Sequence, residues 1–254
     1  MAPLLTIEGV RKTFASGLEA LAGVDLAVTA GEFVSILGAS GCGKSTLLRL
    51  IAGLAEPSSG AVRWTQERAD HQERGGIGFV FQEPTLMPWA DVFSNVYLPL
   101  RLAGRSRSES AARVTEALEQ VGLADFASSY PRELSGGMRM RASIARALVT
   151  QPEILLLDEP FAALDEQTRF KLNEDLLRVW RARRLTVLFV THSVFESVFL
   201  STRVVVMTGR PGRIAADLPM RFTGERTAAL RSSAEFGAAC GAVSQRLASV
   251  SEAA

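Results

Sequence analysis

Cysteine is scarce: the 254 residues hold two, Cys42 and Cys240, far apart and without metal-like spacing. That excludes a disulfide framework and a cysteine-built zinc site. Cys42 also falls inside a glycine-rich loop, where a disulfide would be disruptive, so both thiols are expected to be reduced and structurally incidental. Charge of one sign is missing too. Lys and Arg total 28 against 27 Asp and Glu, a formal net charge of +1, which leaves no footprint of bulk nucleic-acid binding and no nucleic acid among the expected partners. No window approaches the ~18 apolar residues of a membrane span. The opening MAPLLTIEGV lacks the basic region and continuous apolar run of a signal peptide, and the expectation is a chain that stays in the cytosol. Internal repeats, low-complexity tracts, coiled-coil insertions and C-x-x-C elements are absent as well.

What is present is 47% hydrophobic residues, enough for one sizeable core with an attached subdomain. Short apolar runs alternate with helical patterns: EFVSIL, IGFVFQ near Phe79, EILLLD from Glu153, LTVLFV from Leu185 and RVVVM from Arg203. Runs that are continuous rather than alternating predict strands buried on both faces, hence an α/β fold whose mainly parallel sheet is covered by helices. Leu172, Leu176, Val179 and Trp180 keep helical spacing and read as core. The shorter runs LLTIEGV and VDLAV suit an antiparallel N-terminal β subdomain. From Pro84 to Pro131 strand signals give way to patterns such as SESAARVTEALEQVGL, which predicts a helical subdomain, about 84–150, inserted in a body spanning 1–222. The alanine- and serine-rich remainder, 223–254, is expected to be a helical tail packed on that body.

GASGCGKST, from Gly38 to Thr46, fits G-x-x-x-x-G-K-[ST], follows a buried-strand pattern and precedes the helical TLLRLIAG. That context is the one a P-loop requires. Gly38, Ala39, Ser40, Gly41, Cys42, Gly43 and Thr46 would wrap phosphates with backbone N–H groups, Lys44 would face the β and γ oxygens, and Ser45 would offer its hydroxyl to Mg²⁺. EILLLDEP places Asp158 at the end of a buried strand, where ligands meet a parallel sheet and where it would reach Mg²⁺ through water. Glu159 then stands beside the γ-phosphate, able to orient and deprotonate an attacking water. Gln82 ends IGFVFQ and His192 ends LTVLFVTH, so parallel strands would deliver both to the edge that carries Asp158. Gln82 is a candidate for the metal and for catalysis, His192 for catalysis. Taken singly, adjacent acids read as solvated and a lone His or Gln as structural; their convergence on one phosphate gives them a role.

A second anion cradle lies in LSGGMRMRASIARAL, from Leu134. Ser135 is a plausible N-cap, and Gly136 and Gly137 leave the first N–H groups of a helix uncovered. In order, the P-loop, Gln82, LSGGM, LLLDEP, ALD and TH resemble the ATP-binding cassette (ABC) ATPase family, over residues 4 to 217. The resemblance implies a P-loop NTPase cassette in which two chains pair head to tail, with ATP between the P-loop of one and the signature helix of the other. Ser135, Gly136 and Gly137 would then contact the γ-phosphate in trans, and Asp165 would cross the interface. Phe14 would stack on adenine; its other reading is an edge-strand core residue.

FQEPTLMPWADVFSNV, LSGGMRMR and VVVMTGRPGRI are similar to the ATPases of bacterial nitrate, sulfonate and taurine importers, a group with relatives that import thiamine-pyrimidine precursors. Met140 in place of a common glutamine, Ser193 in place of a frequent aspartate, and Ala162 and Ala163 before Leu164 depart from the family pattern. The implied protein is a homodimeric ATPase, peripheral on the cytoplasmic face of the inner membrane. It would act on permease subunits and, through them, on a periplasmic or lipid-anchored solute-binding protein. Leu86, Met87, Pro88, Trp89, Val92 and Phe93 form an apolar cluster that serves either as docking surface or as core of the helical subdomain, with Met87, Pro88 and Trp89 expected to dock. The alternatives are a soluble ABC protein outside transport and a P-loop small-molecule kinase; the latter leaves LSGGM, Glu159 and His192 without a use.

Overall fold

The computed structural model describes residues 2–65 and 76–252. In chain order the strands are β1 (Pro3–Thr13), β2 (Glu19–Thr29), β3 (Phe33–Leu37), β4 (Ser59–Trp64), β5 (Ile77–Val80), β6 (Ile154–Asp158), β7 (Thr186–Thr191), β8 (Arg203–Met207) and β9 (Ile214–Pro219). The helices are α1 (Lys44–Ile51), α2 (Val92–Leu102), α3 (Arg107–Gln120), α4 (Gly136–Leu148), α5 (Glu166–Arg183), α6 (Val194–Leu200), α7 (Ala228–Arg231) and α8 (Ala234–Glu252). They fall into two compact units, one made of Met1–Ala69 and Thr186–Ala254, the other of Asp70–Leu185.

In the first unit β2, β1 and β4 form an antiparallel sheet, as LLTIEGV and VDLAV predict. Strands β7, β3 and β8 run parallel, with β9 antiparallel beside β8. Every residue of β3 and β7 is buried, which is the physical content of their unbroken apolar runs. The one polar side chain of β3, Ser35, hydrogen-bonds to the buried Ser201. The tail is helical: α8 packs on α6 and β8, and its Phe236 meets the rings of Phe199 and Phe222 at 6.4 and 6.2 Å. Burial of one such phenylalanine contributes about 2–3 kcal/mol. Strands β4 and β9 were not anticipated from sequence. Both are incompletely buried, and β9 alternates half-buried with exposed positions, so neither carries an apolar run.

In the second unit β5 and β6 are parallel, and α2 to α5 supply the rest. Among the described residues, the stretch from Pro84 to Pro131 holds helices and turns without a strand. Helix α3 starts with a capping box, the Ser106 hydroxyl accepting from Glu109 N–H and the Glu109 carboxylate accepting from Ser106 N–H. Ser106 also holds the Glu109 carboxyl below the usual carboxylate range. At the end of α4, Val149 O accepts from Arg113 at 2.6 Å and Leu148 O from Arg183 at 3.3 Å, so cations from α3 and α5 cover carbonyls that the helix leaves without partners. Arg141 and Asp175, each 16% exposed, pair at 2.6 Å to tie α4 to α5. Leu172, Leu176 and Val179 are buried in α5, with Leu177 joining them and Trp180 half-buried.

Candidate functional site

In the first unit, β3 ends at Leu37, the chain turns through 38–43, and α1 begins at Lys44. Gly43 has φ +102°, and a Cβ there would stand 2.8 Å from Ala20 O and 2.7 Å from Leu21 Cδ2, so only glycine lets the turn close on β2. Lys44 folds back over the loop, its Nζ donating to Gly38 O at 2.9 Å and Ala39 O at 3.0 Å. Ser45 and Thr46, half-buried, occupy the first turn of α1. Cys42 is not incidental as expected. It is 1% exposed, with Sγ 4.0 Å from Lys44 Nζ and close enough to Gly38 to leave no room there for a Cβ, so the thiol fills the space beneath the loop.

Sheet register sets what shares that edge. Leu37 pairs with Thr191, so His192 leaves the sheet one position beyond, level with Gly38. Its neighbours are pinned: Thr191 Oγ1 donates to Glu196 at 2.6 Å, Ser193 N donates to Thr191 Oγ1 at 3.0 Å, and Ser193 Oγ caps α6 by accepting from Glu196 N. A serine thus suffices where aspartate is frequent. Phe14 follows β1 directly, is 42% exposed, and carries the Lys12 ammonium 5.6 Å from its ring centroid. The reading of Phe14 as an edge-strand core residue is therefore wrong, because the ring lies past the strand end and half outside.

In the second unit Val80 pairs with Leu157, which puts Gln82 across from Glu159, one step beyond Asp158. Asp158 is 6% exposed at the end of β6. Glu159 has φ +47°, in the left-handed region that a residue with a side chain rarely occupies, and a turn from Ala162 N to Glu159 O at 3.2 Å holds it there. The sharp bend carries the second carboxylate off the strand line. The Ser45 hydroxyl in the first unit, and the Gln82 amide and Asp158 carboxylate in the second, each offer a hard oxygen donor of the type Mg²⁺ prefers. Among the described residues no group of three or more His, Cys, Asp or Glu could hold a metal by itself.

The Ser135 hydroxyl caps α4, accepting from Met138 N at 3.2 Å. The first N–H groups of a helix have no partner within it, and this helix start runs from exposed Ser135 through half-buried Gly136 to buried Gly137. Asp165 caps α5 by accepting from Thr168 N at 2.9 Å, and the Thr168 side chain, followed by its backbone N–H, holds the Asp165 carboxyl below the usual range.

Three residues without a motif organise the segment after Gln82. Arg146, near the end of α4, donates to Pro84 O and Thr85 O at 2.8 Å and to Thr85 Oγ1 at 2.9 Å. Fully buried Asn95 accepts from Met87 N at 2.7 Å and donates to the carbonyls of Met87, Ala90 and Asp91. Arg107 stacks on the Phe93 ring at 4.4 Å. The result is a rigid loop displaying Trp89, 77% exposed, beside an open groove of about 490 Å³ lined by Asp91, Tyr97, Arg101 and Tyr130. The expected apolar cluster divides: Val92 is buried, whereas Pro88 and Trp89 are exposed.

Residues 21–162 match the family described as ABC transporter. The chain is 44% identical over 253 residues to an aliphatic sulfonates import ATP-binding protein of Mesorhizobium japonicum, covering 96% of this chain and 92% of that one. It is 50% identical over 190 residues to a taurine import ATP-binding protein of Rhizobium johnstonii, covering 75% and 72%. Among solved structures it is similar to an ATP-binding cassette captured as a dimer in a post-hydrolysis state with ADP and phosphate, at a TM-score of 0.73 and 34% identity over 86% of this chain and 99% of that one.

Proposed function

The chain belongs to the ABC transporter family and is an ATP-hydrolysing cassette, and from that premise we propose that it powers an importer. Its solute is a small sulfonate such as taurine, or nitrate, the solutes for which relatives of this chain are named import ATP-binding proteins. It works as a homodimer on the cytoplasmic face of the membrane, docked on permease subunits that a solute-binding protein serves. No helix among the described residues is long and apolar enough to cross a membrane; in this reading the permease subunits supply the passage.

What supports this reading is the presence in one chain of two glycine-rich turns suited to an anion: the loop 38–46 that Lys44 closes, and the start of α4, capped by the exposed Ser135. In the proposed cycle the P-loop amides and Lys44 grip the β and γ oxygens of one ATP, while Ser135, Gly136 and Gly137 of the second chain meet the γ-phosphate. Asp165 crosses between the chains, and Phe14 stacks on adenine. Ser45, Asp158 and Gln82 would hold Mg²⁺, which would offset the charge of the phosphates. Glu159 takes the proton of the attacking water, and His192 steadies the γ-phosphate and that water.

Glu159→Gln tests it: the amide keeps the shape but cannot accept a proton, so ATP should still bind while hydrolysis drops by about 10²-fold or more. Gel filtration with ATP should then show a trapped dimer. Undiminished turnover, or a monomer at saturating ATP, would remove Glu159 as the base.

A further inference from the structure

The turn after β8, 208–213 in VVVMTGRPGRI, has no part in the roles above. It is closed on itself: Thr208 N donates to Arg213 O, and Arg213 N to Thr208 Oγ1, both at 2.9 Å. It is also joined to β2, with Gly212 N donating to Ala20 O at 2.9 Å and Ala22 N to Gly212 O at 3.0 Å. A Cβ on residue 212 would fall on the carbonyl oxygen of Cys42, and a Cβ on Gly38 would stand 3.2 Å from Met207 O. The end of β8 and the turn after it therefore abut both ends of the phosphate loop. From it the exposed Arg210 reaches Gly41, whose carbonyl oxygen accepts from Nε at 3.2 Å and Nη2 at 3.1 Å.

A trans peptide points its carbonyl and N–H in opposite directions. Holding Gly41 O outward thus turns the Cys42 N–H inward, where it donates to Ala39 O at 3.3 Å and closes the loop on itself. Lys44 grips the loop from within through Gly38 O and Ala39 O; Arg210 grips it from outside. We propose that Arg210 is a positioning residue for the P-loop, keeping the Gly41–Cys42 peptide in the orientation that closes the loop before nucleotide arrives. It acts through Gly41 and does not touch the reacting atoms. A planar guanidinium that stays charged and sets two donors on one oxygen suits a rigid clamp. Without it, binding would have to order the loop, and the loss would appear in affinity rather than in turnover.

The inference rests on the P-loop reading, so the experiment carries a control for that reading. ATP and ADP binding to the full-length chain would be measured by calorimetry, with steady-state hydrolysis, for wild type, Lys44→Ala, Arg210→Ala and Arg210→Gln. Arg210→Ala should weaken ATP and ADP alike by about five- to tenfold, the scale of one lost hydrogen-bonded contact. It should raise KM by a similar factor and leave kcat within about twofold. The loss should persist at high salt, and Arg210→Gln, which donates without charge, should recover part of it. Unchanged affinity, a loss confined to kcat, a loss abolished by salt, a Gln variant no better than Ala, or a lowered unfolding midpoint of the nucleotide-free variant would each overturn the proposal. If Lys44→Ala binds nucleotide normally, the P-loop reading itself has failed; if it binds weakly while Arg210→Ala binds normally, only the Arg210 clamp has.

Discussion

A Cβ at Gly137 would stand 2.6 Å from Thr168 Cγ2, whereas one at Gly136 would meet the end of the Leu164 side chain at 3.2 Å. Leucine can turn aside, but the β-branched threonine is stiff at χ1. Gly137→Ala should therefore lower stability by about 1–3 kcal/mol, as overpacking does, and Gly136→Ala by less. Thr168→Ser removes the obstructing methyl while keeping the hydroxyl, and in that background Gly137→Ala should regain most of the loss in urea denaturation. Failure to regain it would mean that the backbone conformation, not the contact, demands glycine at 137. Met140 repays similar attention. In sequence it stands out as a departure from a common glutamine; in the structure it is 2% exposed on the inner face of α4, where an apolar side chain is at home.

Between strand β5 and helix α2 the chain makes a loop with almost no regular structure, yet it is among the most heavily braced parts of the second unit. Arg146 holds its first half and Asn95 its second. Burial lowers the Arg146 pKa, and the two carbonyls and hydroxyl it meets compensate for that loss of water. Two variants separate shape from contact. Trp89→Ala should leave ATP binding and stability unchanged but weaken copurification with the membrane subunits, since an exposed aromatic on a rigid loop is an interface anchor. Asn95→Ala should weaken that assembly too, and it should also cost about 1–3 kcal/mol by leaving Met87 N without its buried partner. Full recovery of membrane subunit by both variants would place the dock elsewhere.

At the scale of the whole molecule, the two cradles predict complementation between chains. Pair a Lys44→Ala chain with a Gly136→Asp chain: both lesions then fall in one ATP site, the other site is intact, and some hydrolysis should return. Position 136 serves better than 137 because a side chain there does less to its own chain. Place both substitutions in one chain, pair it with wild type, and each site carries one lesion. That heterodimer should be several-fold less active despite an equal mutation count. ATPase assays on purified, differently tagged heterodimers measure the difference; equal activity and equal ATP-dependent closure would mean that the cradles do not share a nucleotide.

Much of this was determined by the sequence alone. Continuous apolar runs over FVSIL, ILLLD and TVLFVT specify β3, β6 and β7, whose every residue is buried, because burial on both faces must be written into each position of a strand. The P-loop and the Ser135 cap are equally local, since each needs particular residues at neighbouring positions to free or satisfy backbone N–H groups. Only the tertiary structure decided the register that sets His192 level with Gly38 and Gln82 across from Glu159, and only it revealed β4 and β9, whose mixed exposure follows from the strands they join. It also brought Arg210 to Gly41 across 169 positions and Arg146 to Thr85 across 61. A guanidinium resting on a backbone carbonyl demands nothing of the residues beside either partner, so such contacts leave no period or spacing to read and exist only once the chain has folded.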